Sequence, residues 1–82
     1  MTIRIRESDR FKKISRKLRK DIKDRIEKQI RKIVANPEVG KSMKHNRKGT
    51  REVYVGQFRL SYSYNNKDEV IILLDFYHKD EQ

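Results

Sequence analysis

The residues of this 82-residue chain best equipped for chemistry are two imidazoles and a set of cations: Lys41, Lys44, His45, Arg47, Lys48 and Arg51 in one stretch, then Arg59, then His78 near the end. Tyr54 and Tyr77 add stacking surfaces beside them. In 56-GQFRLSYSY-64 the alternate residues Phe58, Leu60, Tyr62 and Tyr64 are apolar or aromatic, while Arg59, Ser61 and Ser63 point the other way. An arginine on the second face of a strand suits a phosphate, because its planar fork donates two hydrogen bonds at once and stays charged at every accessible pH. Taken alone, the loop cations read equally well as a solvated charge run that binds polyanions loosely, and His78 as a chance terminal histidine. There is no Ser-His-Asp set and no glycine-rich phosphate loop, and two histidines without cysteine leave a zinc site short of ligands. No metal and no cofactor is therefore expected.

The 22 basic and 12 acidic residues give a net charge of +10, which favours polyanionic partners: nucleic acid, an acidic protein or a membrane surface. The charge is unevenly placed. Arg10 to Lys32 holds 12 basic and 3 acidic residues, and Lys41 to Arg51 holds five basic and none acidic, whereas Asn66 to Gln82 holds two basic against five acidic. No apolar run is long enough to cross a bilayer and the N-terminus lacks a signal-peptide core, so a soluble, cytoplasmic protein with no membrane partner is expected. Without cysteine the fold must be held by packing or by a partner.

The elements that must position these residues follow from periodicity. Thr2 to Arg6 alternates as a short strand, and Ser8-Asp9 offers oxygens to the free N–H groups of a helix start. Phe11, Ile14 and Leu18, and then, after a break near Lys20-Asp21, Ile22, Ile26, Ile30 and Ile33, form two amphipathic helical stripes that Asn36-Pro37 stops. Glu38 to Thr50 reads as a basic loop. Arg51 to Val55 and Phe58 to Tyr64 are strands joined by a two-residue Gly56-Gln57 turn, and Glu69 to Tyr77, apolar at nearly every position, is a strand buried on both faces. The expectation is one domain over residues 1–82, of α+β class and order β-α-α-β-β-β, with a helical hairpin packed on one face of a small, mostly antiparallel sheet. Arg59 then lies on the open face.

The stretch 44-KHNRKGTREVYVGQFRLSY-62, followed by a hydrophobic strand and Tyr77-His78, resembles the RelE/ParE toxin superfamily, and within it the RelE and YoeB-type messenger-RNA interferases. The resemblance implies a RelE-like fold and a metal-independent endoribonuclease that cleaves messenger RNA in the ribosomal A site. It also implies silencing by a RelB-like antitoxin. Carried onto this chain, it makes Arg59 the contact to the scissile phosphate and His78 the general acid. The place of the glutamate base of the YoeB-type branch is taken by Lys41, with Glu38 three residues before it, so the base is unassigned. In the RelE branch hairpin lysines serve instead; Val53 and Val55 stand near those places and Arg51 is the nearest cation.

Attack of a 2′-hydroxyl on the adjacent phosphate needs a proton acceptor, a cation for the phosphorane and a proton donor for the 5′-oxygen. The catalytic candidates are accordingly Arg59, His78, Lys44 and Arg51. Lys41, His45, Arg47, Lys48 and Tyr77 are RNA-binding candidates around them. Arg25, Lys28 and Lys32, spaced i, i+3, i+7, form a cationic helix stripe suited to ribosomal RNA, as do Lys13, Lys17 and Lys20. A ParE-like gyrase inhibitor on the same fold, or a non-catalytic RNA-binding protein, are the alternatives that the residues leave open.

Overall fold

Ser8 sets the first helix and ties it to the sheet. Its Oγ accepts the Phe11 N–H at 3.0 Å and its hydroxyl donates to the Leu74 carbonyl at 2.8 Å, so a helix cap also anchors the last strand. The computed structural model describes residues 3–42 and 49–81. Within them run β1 (Arg4–Glu7), α1 (Asp9–Arg16), α2 (Lys20–Ala35), β2 (Lys41–Ser42), β3 (Thr50–Val55), β4 (Phe58–Asn65) and β5 (Val70–His78), closed by a 3-10 turn at Lys79–Glu81. The helix break falls at 17–19, a little earlier than the sequence suggests. Asn36, at φ −148° and ψ 90°, ends α2 in the extended geometry that Pro37 imposes on its predecessor.

The five strands lie in the order β1-β5-β4-β3-β2, with β1 parallel to β5 and the other pairs antiparallel. The α+β layout of two helices on a mixed sheet is thus the one expected, with one addition. The basic loop contributes the two-residue β2, whose Lys41 and Ser42 pair with Glu52 and Arg51 at the sheet edge. Two residues are too few to carry a period-2 signal. Gly56 turns the β3–β4 hairpin at φ +60°, a conformation that costs glycine no Cβ clash.

Phe11 from α1, and Ile26 and Ile33 from α2, pack on Val53, Val55, Leu60, Tyr62, Ile71, Leu73 and Phe76, and that apolar layer is the core. Each such side chain, fully buried, contributes roughly 1.5–3 kcal/mol. All the core positions of β3 and β4 have the same parity, so the helices cover one face of the sheet only. In β5 the parity breaks. Ser61 pairs with Asp75 but Tyr62 with Leu73, so one step of β4 spans two residues of β5 and Leu74 forms a β-bulge. Before the bulge Ile71 and Leu73 face the helices; after it Phe76 and His78 do.

Candidate active site

On the uncovered face three strands bring six side chains into two cross-strand rows. Arg59 of β4 lies directly across from Tyr54 of β3 on one side and Tyr77 of β5 on the other. One pair further along, Glu52 and Asp75 flank Ser61. The Arg59 guanidinium carbon sits 3.8 Å from the centroid of the Tyr54 ring, a cation–π stack, and its Nη1 donates to the Phe58 carbonyl at 3.0 Å. Its Nε is 3.9 Å from Glu52 Oε1, and the Tyr77 hydroxyl donates to Glu52 Oε2. The Arg59 side chain is 17% exposed and that of Glu52 7%, so the cation, carboxylate and phenol are shielded from bulk water. Shielding strengthens their interactions with any charge that enters. Asp75, the other carboxylate here, is engaged by Arg10 at 3.1 Å.

Glu52 is the residue that sequence reasoning missed. A signal for it exists: in 51-REVYV-55 the valines must face the core, which sends Glu52 and Tyr54 to the face of Arg59. The hairpin positions on the open face are therefore Glu52 and Tyr54, and Val53 and Val55 are core residues. An acid and an aromatic ring stand beside the arginine, in place of the cations that the family resemblance implies.

The bulge at Leu74 decides the fate of His78. Uninterrupted alternation would put His78 on the open face and Tyr77 in the core; the extra residue exchanges them. His78 pairs with Phe58, meets its ring edge-on at 5.5 Å and accepts the Asp80 N–H on Nδ1 at 3.2 Å. The strand also runs one residue further than expected, so His78 is its last member and not its exit. The expectation that His78 works beside Arg59 is corrected by this register: Tyr77 occupies that position.

Arg51 is likewise on the covered face. Its Nη1 donates to the carbonyls of Glu38 at 3.1 Å and Gly40 at 2.9 Å, which fastens the turn after α2. Its cross-strand neighbour Tyr62 accepts the Gly40 N–H at 3.0 Å and donates to the Pro37 carbonyl at 2.7 Å. Burial pushes the Tyr62 phenol above its ordinary pKa, against smaller opposing effects of the Gly40 N–H and the Arg51 charge. A phenol held neutral in this way can donate and accept at once. Arg51 and Arg59 are thus separated by the sheet and cannot act on one phosphate.

Lys41 pairs with Glu52 and so shares the open face. Lys44, His45, Arg47 and Lys48 lie outside the described residues. Arg25, Lys28 and Lys32 are exposed on α2, as the spacing predicts, but not far from the hairpin. Arg25 Nη1 lies 3.1 Å from where a side chain on Gly56 would begin, and Gln29 donates to the Tyr54 carbonyl at 2.8 Å. Gln29, Lys32, Val39, Lys41, Glu52 and Tyr54 line one recess. The other stripe is not continuous, because Lys13 belongs to α1, Lys17 caps it and Lys20 opens α2.

A model of the ParE-like toxins of type II bacterial toxin–antitoxin systems matches residues 5–81. No curated protein sequence matches the chain. Among solved structures, a chain of the Mycobacterium tuberculosis RelBE2 toxin–antitoxin complex superposes with a TM-score of 0.82 at 21% identity, covering 95% of this chain and 99% of that one. The archaeal RelE–RelB complex from Pyrococcus horikoshii OT3 contains a chain with a TM-score of 0.75 at 24% identity, both chains being covered in full. The intact Escherichia coli RelBE toxin–antitoxin complex contributes a match with a TM-score of 0.81 at 14% identity, covering 94% and 96%.

Proposed function

The chain belongs to the ParE-like toxins of type II bacterial toxin–antitoxin systems, within the RelE/ParE superfamily, and from that premise we propose that it is a metal-independent endoribonuclease acting on messenger RNA at the ribosome. The observation that carries the reading is the register of Glu52, Arg59 and Tyr77 on three neighbouring strands of the open face. These residues supply the three things that 2′-hydroxyl attack requires. Glu52 takes the 2′-hydroxyl proton as the 2′-oxygen bonds to phosphorus. Arg59 donates to the equatorial oxygens and balances the charge that develops on the phosphorane. Tyr77 gives its proton to the 5′-oxygen as the phosphorus–oxygen bond breaks, leaving a 2′,3′-cyclic phosphate and a free 5′-hydroxyl. Since Tyr77 is hydrogen-bonded to Glu52, the proton that Glu52 gained returns along that bond and resets both groups.

Tyr54 offers its exposed ring to a base next to the scissile phosphate, and base stacking of this kind contributes about 1–3 kcal/mol. Lys41, with Lys44, His45, Arg47 and Lys48 in the basic segment that follows it, holds flanking phosphates. Arg25, Lys28 and Lys32 bind ribosomal RNA near the same site. The partner that silences the toxin is an antitoxin of the RelB type, which the solved relatives carry in their complexes.

Incubation with programmed ribosomes tests the reading. Cleavage that yields a 2′,3′-cyclic phosphate in the parent and is lost in both Glu52→Gln and Tyr77→Phe supports it; full activity in either variant removes that residue from the chemistry. A second reading has its own observation. Glu52 already offsets part of the Arg59 charge and Tyr54 covers its guanidinium, which suits a protein-binding face of the gyrase-inhibiting kind. Loss of gyrase supercoiling with no RNA cut would favour it.

A further inference from the structure

The open face carries a further pair of cations, on the edge strand two strands away from Arg59. In β1, Arg4 pairs with Val70 and Arg6 with Ile72, while Ile5 turns the other way and lines a groove with Phe11 and Ile26. Arg4 and Arg6 therefore share the face of Arg59, Tyr77 and Lys41. Both are exposed, and neither has a carboxylate within ion-pair distance among the described residues. Two strand spacings and the run from Tyr77 back to Ile72 put them on the order of 20 Å from Arg59. Between the two ends the surface presents Ser63 beside Ile72 and Asn65 beside Val70. Of the acids beside this path, Asp75 is paired with Arg10 at 3.1 Å and Glu52 lies 3.9 Å from Arg59 Nε, while the Asn65 amide holds Asp68 at 3.0 Å.

We propose that Arg4 and Arg6 form a distal phosphate-binding site, so that a single RNA strand crosses the sheet from Tyr54 and Arg59 over Ser63 and Asn65 to β1. This rests on the RNA-cleaving reading and extends it, since it sets how many nucleotides flanking the cut the toxin itself grips. An arginine-bearing edge strand has a blander use, which is to discourage other chains from pairing with it. That use needs charge but not a polar path leading to the reaction centre. A phosphate strand needs both, with cations at the ends and hydrogen-bonding groups that tolerate any base between them.

The test compares the free full-length protein with Arg4→Gln/Arg6→Gln, measuring fluorescence anisotropy of 2′-O-methylated oligouridylates, which cannot be cleaved, three and nine nucleotides long. The nonamer spans both sites and the trimer only one. The ratio of nonamer to trimer affinity should fall on the order of tenfold in the variant at low salt. The log–log salt slope for the nonamer should become shallower by about 1.4, since each arginine that no longer neutralises a phosphate removes about 0.7. An unchanged ratio and slope overturns the track and leaves the cleavage reading standing. So does a variant whose only change is self-association or weaker antitoxin binding, which would assign the arginines to the edge or to a protein. A parent that binds neither oligomer overturns the track as well, while the cleavage reading stands or falls by the programmed ribosomes.

Discussion

Strands β3 and β4 each carry an arginine, and β4 and β5 each pair a tyrosine with one of them, yet the two pairs do opposite work. On the covered face Arg51 and Tyr62 direct their hydrogen bonds to the main chain of residues 37–40. On the open face Arg59 and Tyr77 meet a carboxylate, an aromatic ring and one carbonyl. Main-chain carbonyls are fixed and neutral, so the first pair is a clasp whose loss is felt as stability. Side-chain partners can be exchanged for a ligand, so the second pair is the one on which the proposed reaction draws. One residue of strand register separates the two roles, and residue type alone does not reveal it.

The largest effect should come from breaking the open pair. Arg59→Ala is expected to lower the cleavage rate by about 10²-fold or more, roughly 3 kcal/mol of phosphorane stabilisation, while the melting temperature moves little. Arg51→Ala should do the reverse: a destabilisation of about 1–3 kcal/mol in urea unfolding, as the Glu38 and Gly40 carbonyls are deprived of their donor, with the rate per folded molecule retained. Measuring both quantities on both variants sharpens the contrast. A rate loss in Arg51→Ala equal to that in Arg59→Ala would mean that the sheet does not separate them.

Next in size is the clasp itself. A Cβ on Gly40 would stand 2.7 Å from the hydroxyl of the fully buried Tyr62 and 3.1 Å from the Arg51 Cβ. Gly40→Ala must therefore push Tyr62 off the Pro37 carbonyl, at a cost of about 1–3 kcal/mol in chemical denaturation. Wild-type stability in this variant would show that the 37–40 turn moves freely. His78→Gln should fall below both: less than about a twofold change in cleavage rate, because its ring packs on Phe58 across the sheet from Arg59 and stands outside the proton transfers. A hundredfold loss would restore the histidine as proton donor.

The same faces explain what was legible in the sequence. Alternation in 51-REVYV-55 and 58-FRLSYSY-64 fixes which side of each strand is buried, and the isoleucine spacing of α2 fixes the helix face that meets it. Thus the placement of Arg59 on the open side follows from the residues alone. The last strand is silent in this respect, because Val70 to Leu74 is apolar at every position and a uniform run cannot show where the parity slips. The bulge at Leu74 sits at that blind spot, which is why Tyr77 and His78 exchange faces. Glu52 is legible by parity but easily overlooked, since an acid in so basic a chain draws no notice until its cross-strand neighbours are known.

The smallest effect concerns Tyr62, a phenol whose titration burial has shifted. Tyr62 ionises at higher pH in the folded chain than in the unfolded one, chiefly because its neutral form is the one that tolerates burial. Below the unfolded value of about 10 both states keep the proton, so the contribution of Tyr62 to stability is fully present. As pH rises past that value the unfolded state loses its proton first, and stability falls by at most about 1.4 kcal/mol per pH unit until the folded phenol also ionises. Tyr62→Phe lacks this titration but keeps those of the other tyrosines and the lysines. The stability gap between parent and variant, read from urea midpoints, should therefore be constant up to about pH 10 and narrow above it. A gap that stays constant into strong alkali would show that the clasp holds its phenolate as readily as its phenol, and that the covered face is less dry than its packing implies.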